Sequence, residues 1–598
     1  MLKRLRLKFI SSPTLITVTL ISVSLFIYRI GNISNQEFSW DVLGYYLPLP
    51  AAYIQHDPLL DDKSWVEELN EEKKLSGTLY QVSSTPDGKP MYFFLFGMSY
   101  FYSLFFLIGH WFSSIFGYSQ DGFSEPYQIS VVIGCMIYVS IGLFLIRSVL
   151  LNFFSEKIST ILIIILVFGT NYIHHLTLKN LEPVAVLFML STFVLWQTIR
   201  WHTNYEFKNL IAIGAGISLM ALVKPSEVLF VFVPVLWGVY NKQTLIQKLK
   251  ICYKKKRQFL LMLLICSILF IPQIAYWYTK TGQFVYDSYK NPGVGLDVFS
   301  PHILEALFSY RKGWLLYTPI MIFALIGFYF LWKYNRKIFP TIFITFLICF
   351  YVVASWSEWW YGAGFSLRPM ITYYPLLLIP MGYLIIQIEA QNKFMIKGTV
   401  FSLFAFCIFL NQFQWWQLKN GILEPYRTTK EYYWATFFKT SATDDDKKHL
   451  LVNREIWGKT AFLNREEYRS KMIMNQKFDD LPKGFLESDV SQEFALSTRI
   501  NYENITQKDH VWISMRFKYL ASYEAKTSLA LMVDREEGPY GYMTFPLDSC
   551  DGKWHEMTLE YLTPEIRNVK DEFKFDFWKE KPSTLYVDNF ELTIYEKK

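Results

Sequence analysis

Leu315-Leu-Tyr-Thr-Pro-Ile-Met-Ile-Phe-Ala-Leu-Ile-Gly-Phe-Tyr-Phe-Leu-Trp332 contains no charged side chain. As a helix rising about 1.5 Å per residue, it covers most of the hydrocarbon thickness of a bilayer. Ile158–Phe168 is a second apolar run. Across the 598 residues 52% are hydrophobic, 19% aromatic and 19% charged, and the mean hydropathy is +0.17. A soluble chain carries about a quarter charged residues. These values exclude a soluble enzyme, a disordered scaffold and a collagen-like fibre, and point to an integral membrane protein. The net charge of +7 is small for this length, and the basic residues cluster beside apolar runs, which argues against a nucleic-acid partner. Of the six cysteines, Cys135, Cys266, Cys349 and Cys407 lie in apolar runs, Cys252 lies in a Lys-rich loop and Cys550 has no evident mate. No disulfide framework or zinc motif is spelled out.

The chain opens Met1-Leu-Lys-Arg-Leu-Arg-Leu-Lys8 ahead of an apolar stretch from about Leu15 to Ile30. No small-residue cleavage site follows, so this reads as an uncleaved first helix that starts in the cytoplasm. Further spans are expected near 128–147, 158–174, 181–199, 208–222, 225–240, 258–278, 313–332, 338–355, 370–388 and 395–412. The loop holding Lys248, Lys250, Lys254, Lys255, Lys256 and Arg257 is the most basic and reads as cytoplasmic. The loops with Lys333, Arg336 and Lys337, and with Lys393 and Lys397, share that side. The alternation closes if the aromatic run Met91–Trp111 is interfacial or re-entrant rather than a span. That leaves about eleven spans, with everything after Leu410 outside. The expected location is the bacterial inner membrane, with a cytoplasmic N-terminus and an extracytoplasmic C-terminal domain.

Beyond about Thr440 the apolar runs give way to short alternating segments: Val511–Phe517, Ser528–Val533, Phe573–Trp578 and Thr584–Val587. Turn signals separate them at Glu536-Glu-Gly-Pro539 and Asp551-Gly552, the pattern of an antiparallel β-sandwich. The expected organisation is a polytopic α-helical membrane domain over 1–412, with a first outer loop at 31–127. A connector at 413–480 and an all-β sandwich at 481–598 follow.

Sorted by this orientation, the unusual polar residues gather on the outer side. Asp41 follows Trp40 just past the first helix. Lys89-Pro90 precedes the interfacial run, and a short turn carries His174, His175, Lys179 and Glu182. Lys224-Pro225 lies between two spans. Arg311-Lys312-Gly313 and Ser355-Trp-Ser-Glu358-Trp-Trp-Tyr-Gly-Ala-Gly-Phe-Ser-Leu-Arg368 follow. Ionisable groups beside spans are costly and face a cavity or the interface. Lys89, Lys224, Arg311 and Arg368 suit a phosphate group, and a lone carboxylate among them suits a general base. Glu358, Trp359, Tyr361 and His174 are candidates for substrate contact. Trp356, Trp359, Trp360 and Tyr361 suit either a sugar face or the aromatic belt of the interface. Lys179 and Lys312 read more simply as cations reaching lipid headgroups. Adjacent His174 and His175 lack a clear carboxylate partner and make no metal motif. Asp61, Asp62, Glu67, Glu68, Glu71 and Glu72 read as a solvated face.

The order of Trp40-Asp41, Lys89-Pro90, Gly169-Thr-Asn171, Lys224-Pro225, Arg311-Lys-Gly-Trp314 with Thr318-Pro319, and Trp359–Arg368 resembles the GT-C membrane glycosyltransferases. It is most similar to their protein mannosyltransferase and aminoarabinose transferase branch, over about residues 10–412. The resemblance implies transfer of a sugar from a polyprenyl-phosphate donor to a protein, lipid or glycan acceptor at the outer face. It implies inversion at the anomeric carbon and no catalytic metal. Asp41 would be the base, Lys89 would hold the donor phosphate, and Arg368, Lys224 and Arg311 would assist. Two features depart from the pattern: Val42 stands where many relatives carry a second acid, and Lys224-Pro225 stands where Arg-Pro is frequent. Asp551-Gly-Lys-Trp-His555 and Thr584–Phe590 resemble the last strands of jelly-roll carbohydrate-binding modules, which either bind glycan or are purely structural. A transporter or flippase of lipid-linked glycans, or a glycan polymerase or ligase, remains the alternative.

Overall fold

Ser12 and Pro13 set the start of the first helix, α1 (Pro13–Ile30). Proline has no N–H to leave unpaired in a first turn, and Ser12 Oγ accepts from the Leu15 N–H. The computed structural model describes residues 12–289, 294–451, 465–508, 510–521, 526–535, 538–547, 551–568 and 570–598. The basic stretch Met1–Lys8, Cys550 and the Glu536-Glu537 half of one expected turn lie outside them. The chain forms two units, Met1–Lys290 with Pro301–Leu450, and Asn291–Ser300 with Leu451–Lys598.

In the first unit α1 is followed by the hairpin β1 (Val82–Ser84) and β2 (Pro90–Tyr92). Then come α2 (Gly97–Phe116), α3 (Glu125–Leu150), α4 (Glu156–Phe168), α5 (Pro183–Asn204) and α6 (Phe207–Val223). Polar groups fasten one end of α1, α3 and α4: Arg147 donates to Ser12 Oγ (2.8 Å) and Thr14 Oγ1 (2.9 Å), and Ser12 donates to the Glu156 carboxylate (3.0 Å). At the other end of α1, buried Arg29 pairs with Glu37 at 2.5 Å and donates to Asn180 Oδ1 at 2.9 Å, fixing where the long loop leaves the helix.

Helices occupy all eleven expected span positions, and six are long and apolar enough to cross a membrane. The other five are shorter for a readable reason in at least one case. Pro319 cannot continue the hydrogen-bond ladder and divides the run quoted at the outset into Trp314–Tyr317 and Met321–Tyr334. The run Met91–Trp111 is not one helix: Met91 and Tyr92 belong to β2, and α2 begins at Gly97. It lies antiparallel beside the first half of α3, with Phe105 over Gly134, Gly109 against Tyr127 and Ser130, and the Phe101 carbonyl accepting from Tyr138 at 3.0 Å. One face of α2 is therefore packed along α3, while Leu104, Leu107 and Trp111 on the other face are exposed.

The start of α2 packs on the end of α6 so closely that a Cβ on Gly97 would stand 2.3 Å from the Leu222 carbonyl carbon and the Val223 nitrogen. Backbone atoms cannot swing aside as a side chain can. Gly97→Ala is expected to cost about 1–3 kcal/mol by overpacking, read as a lowered unfolding midpoint of the detergent-solubilised protein.

The expected connector at 413–480 divides. The long helix Phe394–Lys419 and the short Lys430–Thr436 belong to the first unit, whereas strand β3 belongs to the second. The second unit comprises β3 (Tyr468–Gln476), β4 (Leu486–Ser488), β5 (Phe494–Asn501), β6 (Trp512–Ala521), β7 (Thr527–Arg535), β8 (Gly538–Pro546), β9 (His555–Leu562), β10 (Glu572–Lys579) and β11 (Leu585–Lys597). One antiparallel sheet has the order β5-β10-β7-β8; the other has β3-β11-β6-β9, with β4 also on β11. Alternate residues Ile513, Met515, Phe517 and Tyr519 point inward from β6, as period-two patterning requires, and meet Phe573, Phe575 and Phe577 of β10. Phe517 meets Phe577 edge-on and Phe575 stacks on Phe590, each with ring centroids 5.0 Å apart. Segment 294–300 joins this unit: buried Asp297 pairs with buried Arg535, and Asn568 donates to Ser300 Oγ at 2.9 Å.

Candidate active site

Asp41 enters the site from a strained turn. Trp40 has φ of 53°, a left-handed backbone that a bulky L-residue adopts only when its surroundings enforce it. Here its N–H donates to the Leu75 carbonyl (3.0 Å) and its carbonyl accepts from Gln81 Nε2 (2.9 Å). Asp41 then opens a short helix, Asp41–Tyr46, with its side chain about a third exposed. Its Oδ2 accepts from Arg368 Nη2 at 2.7 Å, and its Oδ1 accepts from the Tyr80 hydroxyl.

Arg368 is shared between two carboxylates. Its Nη1 lies 3.4 Å from Glu182 Oε1, while Glu182 Oε2 is 3.1 Å from His175 Nδ1, and His175 Nε2 is 3.0 Å from the Phe365 carbonyl. Four sequence-distant segments are thus tied into one chain of charges. Burial alone would raise the Glu182 carboxyl; Arg368, His175 and Lys179 outweigh it and bring it down to about 2 from an ordinary 4.5. A carboxyl depressed by folding stabilises the native state above its unfolded value and loses that contribution as pH falls through the folded one. Glu182→Gln is therefore expected to lower the unfolding midpoint at neutral pH. The gap from the parent should close as pH drops from about 4.5 towards 2, followed by thermal unfolding across that range.

A second carboxylate–cation group adjoins the first. Lys224 follows α6 with its ammonium 4.9 Å from the Tyr361 ring centroid. Loss of water lowers its affinity for the proton, which neighbouring Glu227 partly restores. Buried Glu227 accepts from Tyr373 at 2.9 Å. Lys312, read from sequence as a headgroup contact, is instead only 1% exposed and donates to the Gly364 carbonyl. Burial, then the nearby Arg311 and Arg368, push its ammonium well below its usual value. The loop that carries these contacts has its own strain: Tyr361 and Ser366 have φ of 52° and 57°, and Gly364, at 153°, leaves no room for a Cβ against His175. Strain therefore sits just before Asp41 and just before Arg368.

The structure brings Asp41, Arg368 and Lys224 of the expected residues into one neighbourhood, and adds Glu182, Tyr80 and Glu227. Lys89 is not in it. Lys89 stands exposed on the β1–β2 turn, pairs with Asp87 at 3.0 Å and lines a depression of about 470 Å³ with Tyr278, Lys280 and Tyr286. Arg311 is buried over the Trp360 ring at 4.0 Å and donates to the Tyr426 carbonyl at 2.7 Å, the posture of a strut. Tyr361 offers one face to Lys224 and its hydroxyl to the Val353 carbonyl (2.8 Å). Trp359 packs edge-on against Trp360, and the carbonyl of Glu358 accepts from the Tyr361 N–H. His174 packs edge-on against His175 with its buried Nε2 unpartnered. Asp61, expected in a solvated face, accepts from buried Lys280 at 2.7 Å.

Glu227 had a readable signal, a carboxylate two residues past Lys224-Pro225 in an otherwise apolar helix. Tyr80 had none, because nothing local distinguishes it from the many other tyrosines.

No known protein family's profile matches this chain, and no curated protein matches it. Among solved structures it aligns with the cryo-EM structure of the arabinosyltransferase EmbB from Mycobacterium smegmatis, at 10% identity and a TM-score of 0.30. The alignment covers 96% of this chain and 64% of that one, so the chain spans less than two thirds of its length. Similarity at that level assigns neither fold nor activity.

Proposed function

We propose that this chain is a membrane glycosyltransferase of the GT-C kind, transferring a sugar from a polyprenyl-phosphate donor to an acceptor hydroxyl on a protein, lipid or glycan. The reading places the reaction at the outer face of a bacterial inner membrane. The observation that carries it is the 2.7 Å contact of Asp41 with Arg368, residues 327 apart in the chain, within a cluster that also holds Glu182 and Lys224. A carboxylate and several cations at one site match the two charge movements of glycosyl transfer from phosphate.

The acceptor oxygen attacks the anomeric carbon from the side opposite the phosphate, so one C–O bond forms as the other breaks and the anomeric configuration inverts. Asp41 takes the acceptor proton. The bonding electrons leave with the phosphate oxygen, and Arg368 and Lys224 balance the charge that develops there. A guanidinium has five N–H groups, so Arg368 can bind phosphate while Glu182 still fixes its plane. The arriving phosphate competes with Asp41 for Arg368, which frees Oδ2 to accept the proton.

The test supplies candidate polyprenyl-phosphate sugars to the purified full chain in detergent and follows release of free polyprenyl phosphate. Donor-dependent release that requires an acceptor supports the reading. No release with any donor, together with passage of lipid-linked glycan across proteoliposomes, would overturn it in favour of a transporter.

A further inference from the structure

Helix α7 (Lys242–Lys254) has no buried residue, yet it is not a polar helix. Asn241 and Thr244 close a capping box at its start, so its register is well defined. Three stripes run along it. Thr244, Lys248, Ile251 and Cys252, spaced four, three and one apart, are the half-buried ones and face the protein. Lys248 pins that stripe, with its ammonium 2.7 Å from the Pro234 carbonyl, 2.8 Å from the Trp237 carbonyl and 3.0 Å from His202 Nε2. Leu245, Ile246, Leu249 and Tyr253 form a second stripe that is open to the surroundings, Leu249 at 59% and Tyr253 at 73% exposure. Gln243, Gln247, Lys250 and Lys254 form the third, fully exposed stripe.

From Lys242 to Arg257 the chain carries seven basic residues and no acid. The helix leads straight into Lys256–Thr281, one of the six candidate spans, whose exposed Leu260, Leu261, Leu263 and Leu264 belong in lipid. It therefore lies where a span meets the membrane surface. An apolar stripe flanked by a cationic one suits the boundary of acyl chains and anionic headgroups, where each finds its own medium.

We propose that α7 is an in-plane anchor that binds anionic phospholipid headgroups, with Leu245, Ile246, Leu249 and Tyr253 sunk beneath them and Lys250, Lys254 and Arg257 as the charge contacts. This inference is independent of the reaction proposed above. The probe is an environment-sensitive fluorophore on Leu249→Cys, in the full chain with its other accessible cysteines replaced by serine and its unfolding midpoint matched to the parent. The protein is placed in nanodiscs of phosphatidylcholine alone or with phosphatidylglycerol. The expected result is blue-shifted emission in the anionic discs, reversed by high salt and by combining Lys250→Gln, Lys254→Gln and Arg257→Gln. A second probe at Gln247 should stay in water throughout. Identical emission from the Leu249 probe in both discs overturns the recognition of anionic lipid. A water-exposed probe in both, the result if a soluble partner covers this stripe, overturns the anchor altogether.

Discussion

Asp41→Asn is expected to reduce turnover by about 10²–10⁴-fold while leaving donor binding and folding in place. Asparagine has the same shape and still offers an oxygen to Tyr80 or Arg368, so the short helix at Asp41–Tyr46 keeps its packing. Arg368 keeps Glu182 as its counter-charge, so no cation is stranded. The amide cannot take the acceptor proton; it also lacks the charge that pairs with Arg368, so donor binding should hold or tighten while turnover falls. Single-turnover release of polyprenyl phosphate, with donor affinity measured separately, reads the two effects apart. Equal turnover in parent and variant would remove Asp41 from the role of base and direct attention to Glu182, the other carboxylate on Arg368.

Arg368 is expected to show the largest combined effect. Arg368→Ala leaves Asp41 and Glu182 facing one another without the cation between them. Removing one partner of a buried pair costs about 3–5 kcal/mol, and the 20% exposure of the Arg368 side chain puts the expectation at the lower end of that range. Arg368→Lys retains the charge but not the planar fork that spans two carboxylates. It is expected to fold, with a modestly lowered unfolding midpoint, and to lose at least about tenfold in turnover through weaker hold on the phosphate. A lysine variant with full turnover would show that only the charge matters. Combining Arg368→Ala with Glu182→Gln should recover part of the lost stability, because the second substitution removes one of the stranded charges.

Much of this architecture was legible because two sequence periods are strong signals. Apolar runs without charge located helices at all eleven expected positions, and the alternation within Val511–Phe517 announced a strand. What the runs did not reveal was helix length. Pro319 and the 3-10 turn at Pro225–Val231 shorten helices in ways that mean hydropathy averages away. The candidate site was legible in kind and less so in membership. Trp40-Asp41 and the Trp-rich stretch ending at Arg368 stood out because charge beside apolar sequence is costly. Lys89 shared that signal but lies on an exposed turn, and no pattern reports which of several cations beside apolar runs a chain will gather. Lys312 was misread for the converse reason: a lysine at the end of an apolar run has the same appearance whether it reaches lipid or the Gly364 carbonyl.

The pairing of Asp297 with Arg535 has a consequence for how the chain is made. The two residues are 238 positions apart, so the ribosome must deliver a long stretch of chain between one and the other. Segment 294–300 emerges long before the strands it joins exist. The sandwich is therefore completed late in synthesis, and its folding waits for β10 and β11, which lie inside the two sheets and follow β7 in the chain. A fragment beginning at residue 451 would lack that carboxylate altogether. The second unit is contiguous in space but not along the gene, and any attempt to isolate it must carry both pieces.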